Sequence, residues 1–419
     1  MTGVSRRTFA AGSAAAALGI ATKAGAQPAP IKIGAIFPLS GNSASAGNYS
    51  KMAIEVGIDV INNGNAELAP LLPLAKGPGL PGLGGAKIQL VFADNQGTPA
   101  AGQNQALRLI SEEKVVALMG AYQSGITLTA SAIAERHGIP FVNGESVAAN
   151  LTERGFKWFF RVTPVAIDFA RAYSSFLKAQ KAAGQKVGTI ALIHENTEYG
   201  NSVGSVIIDQ FAKDGMPIGQ KITYSANSSD VQPQVLQLKE KNPDVAIFVS
   251  YTSDAILYAK TMKELNWKPS IMIADNAGFN DPSFIKQMGS TVDGLVNRSA
   301  FSGGKPGTVP YIFNELYKKK SGGDDLDDVS VRGLQGFLVL ADAINRAGST
   351  EPAKIQAALR ATNLPASQMV AGYDGVKFDD KGQNILASSI VTQLRNGKYV
   401  AIAPKDRATA EVILPYKGW

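Results

Sequence analysis

VVALMGAYQSGITLTASAIAERHGIPFVN, residues 115–143, is the stretch that decides the fold. A short apolar run, VVALM, ends at Gly120. SGITLTASAIAERHG then carries helical character, and IPFVN begins a second apolar run. A short strand, a helix and another short strand in one direction make a βαβ unit, whose strands lie parallel because the helix carries the chain back. The exit GAYQSGIT is unusual for a buried strand. Gly120, Tyr122 and the hydroxyls of Ser124 and Thr127 suit either a tight turn or a pocket where helix-start N–H groups and small hydroxyls meet an anion. Ser124 at a helix start is equally suited to be an N-cap.

The same alternation runs outward in both directions. IKIGAIF (31–37) reads as a strand, 49–62 as an amphipathic helix, KIQLVFADN (87–95) as a strand, and the segment from Pro99 as a helix with proline in its first turn. The pattern restarts after FFRVTP, with a helix at 166–183 and strands TIALIHE, QKITYS, VAIFVS and IMIAD separated by helices. This predicts an α/β protein with two Rossmann-like lobes in tandem. Helices expected at about 308–320, 330–347 and 351–360, then strand-like sequence to the end, are too little for a third domain. The helices are assigned to the first lobe and the strands to the second, so the chain crosses between lobes three times. The expected limits are 27–163 plus 298–365 for lobe 1, and 164–297 plus 366–419 for lobe 2. The Pro-, Gly- and Leu-rich segment 66–87 is expected to be a surface loop.

The chain has 419 residues, no cysteine, 45% hydrophobic and 18% charged residues. Without cysteine there is no disulfide framework, thiol nucleophile, thiolate metal site or lipidation cysteine. Residues 1–26 read as an export signal: Arg6 and Arg7 in SRRTF, an alanine-rich apolar run, and AGA ending at Ala26. The paired arginines match a Tat-type signal, the alternative being the general secretory route. Either predicts a soluble periplasmic protein. Its removal takes three positive charges from a net charge of +7. KKK at 318–320 is answered by DDLDD at 324–328, and no basic stripe with interleaved aromatics predicts nucleic-acid binding.

In open α/β sheets ligands gather beyond the carboxyl ends of the strands. Between two lobes, those ends line a cleft. The loops that follow the strands therefore hold the candidates. Ser124 is placed to take a carboxylate. Asp275, ending IMIAD in the other lobe, is either an ammonium partner or a turn aspartate. Tyr199 and Tyr251 are placed to close over a side chain or to donate a phenolic hydrogen bond. A carboxylate site on one lobe and an ammonium site on the other would clamp an α-amino acid. Catalysis finds little support. Only two histidines are present, and H-E-x-x-H, G-x-S-x-G and Walker lysine motifs are missing. No cofactor or metal is expected.

At this point the chain resembles the type I periplasmic solute-binding proteins of ABC importers, in the leucine/isoleucine/valine-binding branch. The resemblance is carried, in order, by IKIGAIFPLSG, KIQLVFADNQGTP, VVALMGAYQSG, GIPFVNGES, LTERGFKWFFRVTP, IALIHENTEYG, NPDVAIFVSYTSDAI and KFDDKGQ. It implies two lobes joined by a three-segment hinge, a ligand trapped by lobe closure, and delivery to an ABC permease in the inner membrane by a monomeric, non-enzymatic protein. It assigns the ligand carboxylate to Ser124, the lobe-two tyrosines to Tyr199 and Tyr251, and the ammonium partner to Asp275. Two positions depart. Val147 stands near a position where threonine is frequent, preceded by Glu145 and Ser146. Ala44 and Ala46 stand where an aromatic frequently closes the first loop. The resemblance thus implies an amino acid or related solute, with an aromatic or other small carboxylate, or a sensing role, as alternatives.

Overall fold

A computed structural model of the chain describes residues 1–2, 28–301 and 303–419. The export segment, with Arg6 and Arg7, lies outside the described residues except for its first two positions.

The first sheet contains β1 (Ile31–Phe37), β2 (Ile88–Asp94), β3 (Ala117–Gly120), β4 (Phe141–Asn143) and β5 (Phe159–Arg161). All are parallel, in the order β2-β1-β3-β4-β5. Their connections include α1 (Ala44–Asn63), α2 (Pro99–Ser111) and α3 (Ser124–His137). β3 and β4 are buried along their whole length. That explains why their sequence is apolar without alternation up to Asn143 at the end of β4: helices cover both faces of such a sheet.

The second sheet begins with β6 (Ile190–Glu195), β7 (Gln220–Tyr224), β8 (Val245–Val249), β9 (Ile271–Ala274) and β10 (Val296–Ser299). Helices α4 (Ala166–Ala182), α5 (Glu198–Lys213), α6 (Gln232–Lys241), α7 (Thr252–Glu264), α8 (Ala277–Asn280) and α9 (Pro282–Met288) accompany these strands. The chain then returns to the first lobe. There α10 (Val309–Ser321), α11 (Asp328–Ala347) and α12 (Pro352–Arg360) pack, with α11 and α10 lying against α1. α11 starts two residues before the predicted 330, because Asp327 caps it by accepting from the N–H groups of Val329 and Ser330. The short pair β11 (Asn363–Pro365) and β12 (Gly375–Lys377) follows. β13 (Ile390–Arg395) and β14 (Lys398–Ala403) then extend the second sheet in antiparallel fashion, giving β14-β13-β10-β9-β8-β6-β7.

The three passages between lobes lie side by side. Gly372 N–H donates to the Ala300 carbonyl, and Arg161 N–H donates to the Gly382 carbonyl at 2.7 Å. Asn384 reaches the Val162 carbonyl at 3.0 Å. Residues 375–384 thus still pair with β11 and β5, beyond the passage near Pro365 that the sequence suggests. The chain joins the second sheet only from β13 onward.

The segment 66–87 differs from its reading as a surface loop. Leu68, Leu72, Leu74, Ala75 and Leu80 are buried in the first-lobe core. Two short 3₁₀ turns, Pro73–Ala75 and Pro81–Leu83, shape it, and Gly82 N–H bonds the Asn345 side chain of α11 at 2.8 Å. Its leucines are core residues held by proline-started turns, and local composition does not distinguish that from a loop.

Candidate ligand-binding cleft

The turn after β3 answers the question posed by GAYQSGIT. Gly120 has φ of +118°, and a Cβ there would stand 2.1 Å from the Ile36 carbonyl oxygen, so only glycine fits. Tyr122 has φ of +71°, a conformation that a bulky residue holds only when its surroundings impose it. Thr127 and Ser146 impose it. Ala121 N–H donates to Thr127 Oγ1 at 3.1 Å, and Ser146 Oγ donates to the Tyr122 carbonyl at 2.9 Å. The 2.6 Å bond between the two hydroxyls must then run from Thr127 to Ser146, since Ser146 has spent its only proton. Thr127 therefore shapes the turn from behind, and Ser124 opens α3 beside it. Ile126 and Thr127 N–H both turn back to the Gln123 carbonyl. The first N–H groups of the helix point outward, as at any helix start.

Tyr122, Ser124, Glu145, Ser146 and Val147 from the first lobe enclose one cavity with Tyr199, Tyr251 and Ala277 from the second. The space between their atoms, including the part that opens to solvent, is about 260 Å³. Seven of the nine residues predicted for the site line it; Thr127 and Asp275 stand behind it. Tyr251 bridges the lobes, with its ring 5.7 Å from that of Tyr122 and 5.1 Å from that of Tyr199. The lobes also meet directly at the rim. Ser45 Oγ donates to Asp281 at 2.6 Å, Ala149 N–H to Ser202 Oγ at 2.9 Å, and Asn150 to Glu198 at 2.9 Å.

Asp275, expected as an ammonium partner or a turn aspartate, is held by residues of its own lobe. It is fully buried, and its carboxylate accepts from Tyr173 at 2.9 Å, Tyr199 at 2.8 Å and Arg298 Nε at 3.1 Å. Arg298 stacks over Phe169, 3.4 Å from the ring centroid, a geometry favourable for a guanidinium. Asp328, at the start of α11, accepts from Arg332 Nε at 2.7 Å and lies 3.7 Å from Arg298. Arg332 also donates to the Glu145 carbonyl at 2.6 Å and to Thr163 at 3.1 Å. Two buried arginines are thus matched by two buried aspartates. Burial raises the hydroxyls of Tyr173 and Tyr199 far above the ordinary phenol range, and the neighbouring Asp275 charge adds to that.

Ala277, Arg298 and Arg332 line the cavity without having been predicted. Arg332 left a trace in the sequence, as a lone charge inside the apolar face of SVRGLQGFLVLADAI. Arg298 lies in LVNRSA, where a cation interrupts a strand. Ala277 left none. No group of acidic, histidine or cysteine side chains able to hold a metal ion occurs among the described residues.

The periplasmic binding protein family model matches residues 30–398. The Leu/Ile/Val-binding protein homolog 7 of Brucella abortus is 32% identical over 417 residues, covering 94% of this chain and 97% of the relative. The chain is a type I periplasmic binding protein of the leucine/isoleucine/valine-binding family. Its fold agrees with solved members. The leucine-binding protein LivK of Thermotoga maritima superposes with a TM-score of 0.76 at 23% identity, covering 90% of this chain and 99% of that one. A solute-binding protein of an ABC transporter from Rhodopseudomonas palustris, in complex with 3,4-dihydroxybenzoic acid, gives 0.74 at 19% identity, with 92% and 98% covered. No described helix of this periplasmic binding protein is long and apolar enough to cross a membrane.

Proposed function

We propose that this periplasmic binding protein is the solute-capturing component of an ABC importer, that it works as a monomer after Tat export, and that its ligand is an amino acid or a close relative bound between the lobes. One observation carries the reading: side chains from both lobes, headed by Ser124 and Tyr251, close around a single cavity. The ligand carboxylate is placed at the start of α3, where Ser124 Oγ and the first N–H groups offer donors and the helix dipole favours an anion. The names of the Brucella relative and of LivK are consistent with an amino-acid ligand. A second reading, a small carboxylate without an amine, draws support from Asp275, whose oxygens are already engaged by Arg298 and two tyrosines.

A thermal-shift screen of amino acids and small aromatic acids tests this. A binder at about a hundred times its Kd adds about 2.7 kcal/mol of stability. Ser124→Ala is then expected to weaken that binder by about 1.5–3 kcal/mol, the scale of a hydrogen bond to a charged group. Undiminished affinity in the variant would remove the carboxylate from α3.

A further inference from the structure

We propose that Glu145, rather than Asp275, receives the protonated nitrogen of the ligand. The inference rests on the reading of the cleft given above and names the chemical class of its occupant: a solute with a carboxylate at one end and a cationic amine within reach of Glu145.

Glu145 follows β4 and lies on the same loop as Ser146 and Val147. Its residue is 3% exposed, yet neither carboxylate oxygen has a hydrogen-bond partner among the described residues. Buried carboxylates are normally paired or hydrogen-bonded. Its surroundings are built to hold it there. Arg332 grips its main-chain carbonyl, and Gly333 on α11 leaves room for the side chain: a Cβ at Gly333 would stand 2.5 Å from Glu145 Oε1. Ser50 on α1 borders the same space, and its hydroxyl, like that of Tyr122, is buried without a partner. Arg332 is no substitute for a ligand cation, because its guanidinium is already bound to Asp328, Thr163 and the Glu145 carbonyl. Asp275 and Asp328 account for both arginines, so Glu145 is the carboxylate at the cavity without a cation of its own. Burial also pushes its carboxyl up to about 7, opposed by the Arg332 charge and, less strongly, by its own N–H and that of Gly144.

Calorimetry with the twenty common amino acids and with the carboxylic acids that lack their amines tests the assignment. The wild type is expected to prefer the amine-bearing member. Glu145→Gln should weaken that member by about thirtyfold or more, the loss on removing one partner of a buried charge pair, with little effect on the analogue. A melting curve of the variant with the wild-type midpoint or above shows that the fold is intact. Undiminished amine binding by Glu145→Gln, or equal losses for both members, overturns the proposal. If only acids without an amine bind the wild type, the proposal fails and the cleft stands. If neither set binds, the reading of the cleft itself fails.

Discussion

Arg298 Nε lies 3.1 Å from the Asp275 carboxylate, with both side chains closed off from water. Each charge is costly to bury and tolerable because the other is there. The pair joins β10 to the end of β9, so it braces the second lobe next to the cavity. Asp275→Asn, which keeps the size of the side chain and removes its charge, leaves Arg298 with no anion nearer than Asp328 at 3.7 Å. The expected loss is about 3 kcal/mol of stability, the lower end for breaking a buried pair. Urea unfolding measures it. An unchanged midpoint at unchanged slope would show that Asp275 is not structurally paired.

Thr127 sits behind the β3 turn, and its role is to hold that turn. Thr127→Val preserves the shape but removes the acceptor for Ala121 N–H and the donor to Ser146. Leaving such buried groups unpaired costs about 1–3 kcal/mol. Because Tyr122 then loses part of what imposes its φ, ligand affinity should fall along with the melting temperature. Stability preserved in Thr127→Val would dispose of the hydroxyl relay.

The pH dependence of Glu145 has a definite sign. Its carboxyl is raised from the ordinary 4.5 to about 7, first by burial. Between those values the folded protein binds more protons than the unfolded chain, so this group's contribution lowers stability as pH rises. The cost is absent below 4.5, accumulates up to about 7, and is then constant at roughly 3 kcal/mol. Glu145→Gln should therefore match the wild type near pH 4.5 and exceed it in melting temperature near pH 8. A difference that stays flat over that range would contradict the burial of a titrating carboxylate there.

The two lobes touch through hydrogen bonds at the rim of the cleft. Ser202 on α5 accepts a hydrogen bond from Ala149 across the cleft, 2.9 Å away. Ser202→Trp puts a large ring into that contact and should prop the lobes apart, a hinge response typical of such architectures. Small-angle scattering with a saturating ligand from the thermal screen should give a larger radius of gyration for the variant than for the wild type. Equal radii and equal affinities would mean that this rim does not close on the ligand.

Much of the cleft was legible because strand-end logic is local. A βα unit places the residue after each strand at the same end of the sheet, so Ser124, Glu145, Tyr199 and Tyr251 could be nominated from four separate segments of sequence. Their gathering into one cavity follows from the parallel order of the strands. The turn glycine was legible as well, though the reason for the neighbouring hydroxyls was not. Thr127 and Ser146 are nineteen positions apart, and nothing in either segment shows that they share a proton.

The alternation of apolar runs and amphipathic helices by itself determined a two-lobed α/β chain, since backbone hydrogen bonding and hydrophobic burial act over a few residues and leave a period in the sequence. The partners of the charges were decided only in three dimensions. Asp275, Arg298, Asp328 and Arg332 come from β9, β10 and α11, and they meet because the chain passes between the lobes where those elements end. The same applies to the leucines of 66–87, which are buried by α1 and α11 rather than by their neighbours in sequence. A buried carboxylate obtains its role from whichever donors the fold leaves around it. Asp275 received three residues' worth and became a brace, while Glu145 received no side-chain donor and lines the cavity.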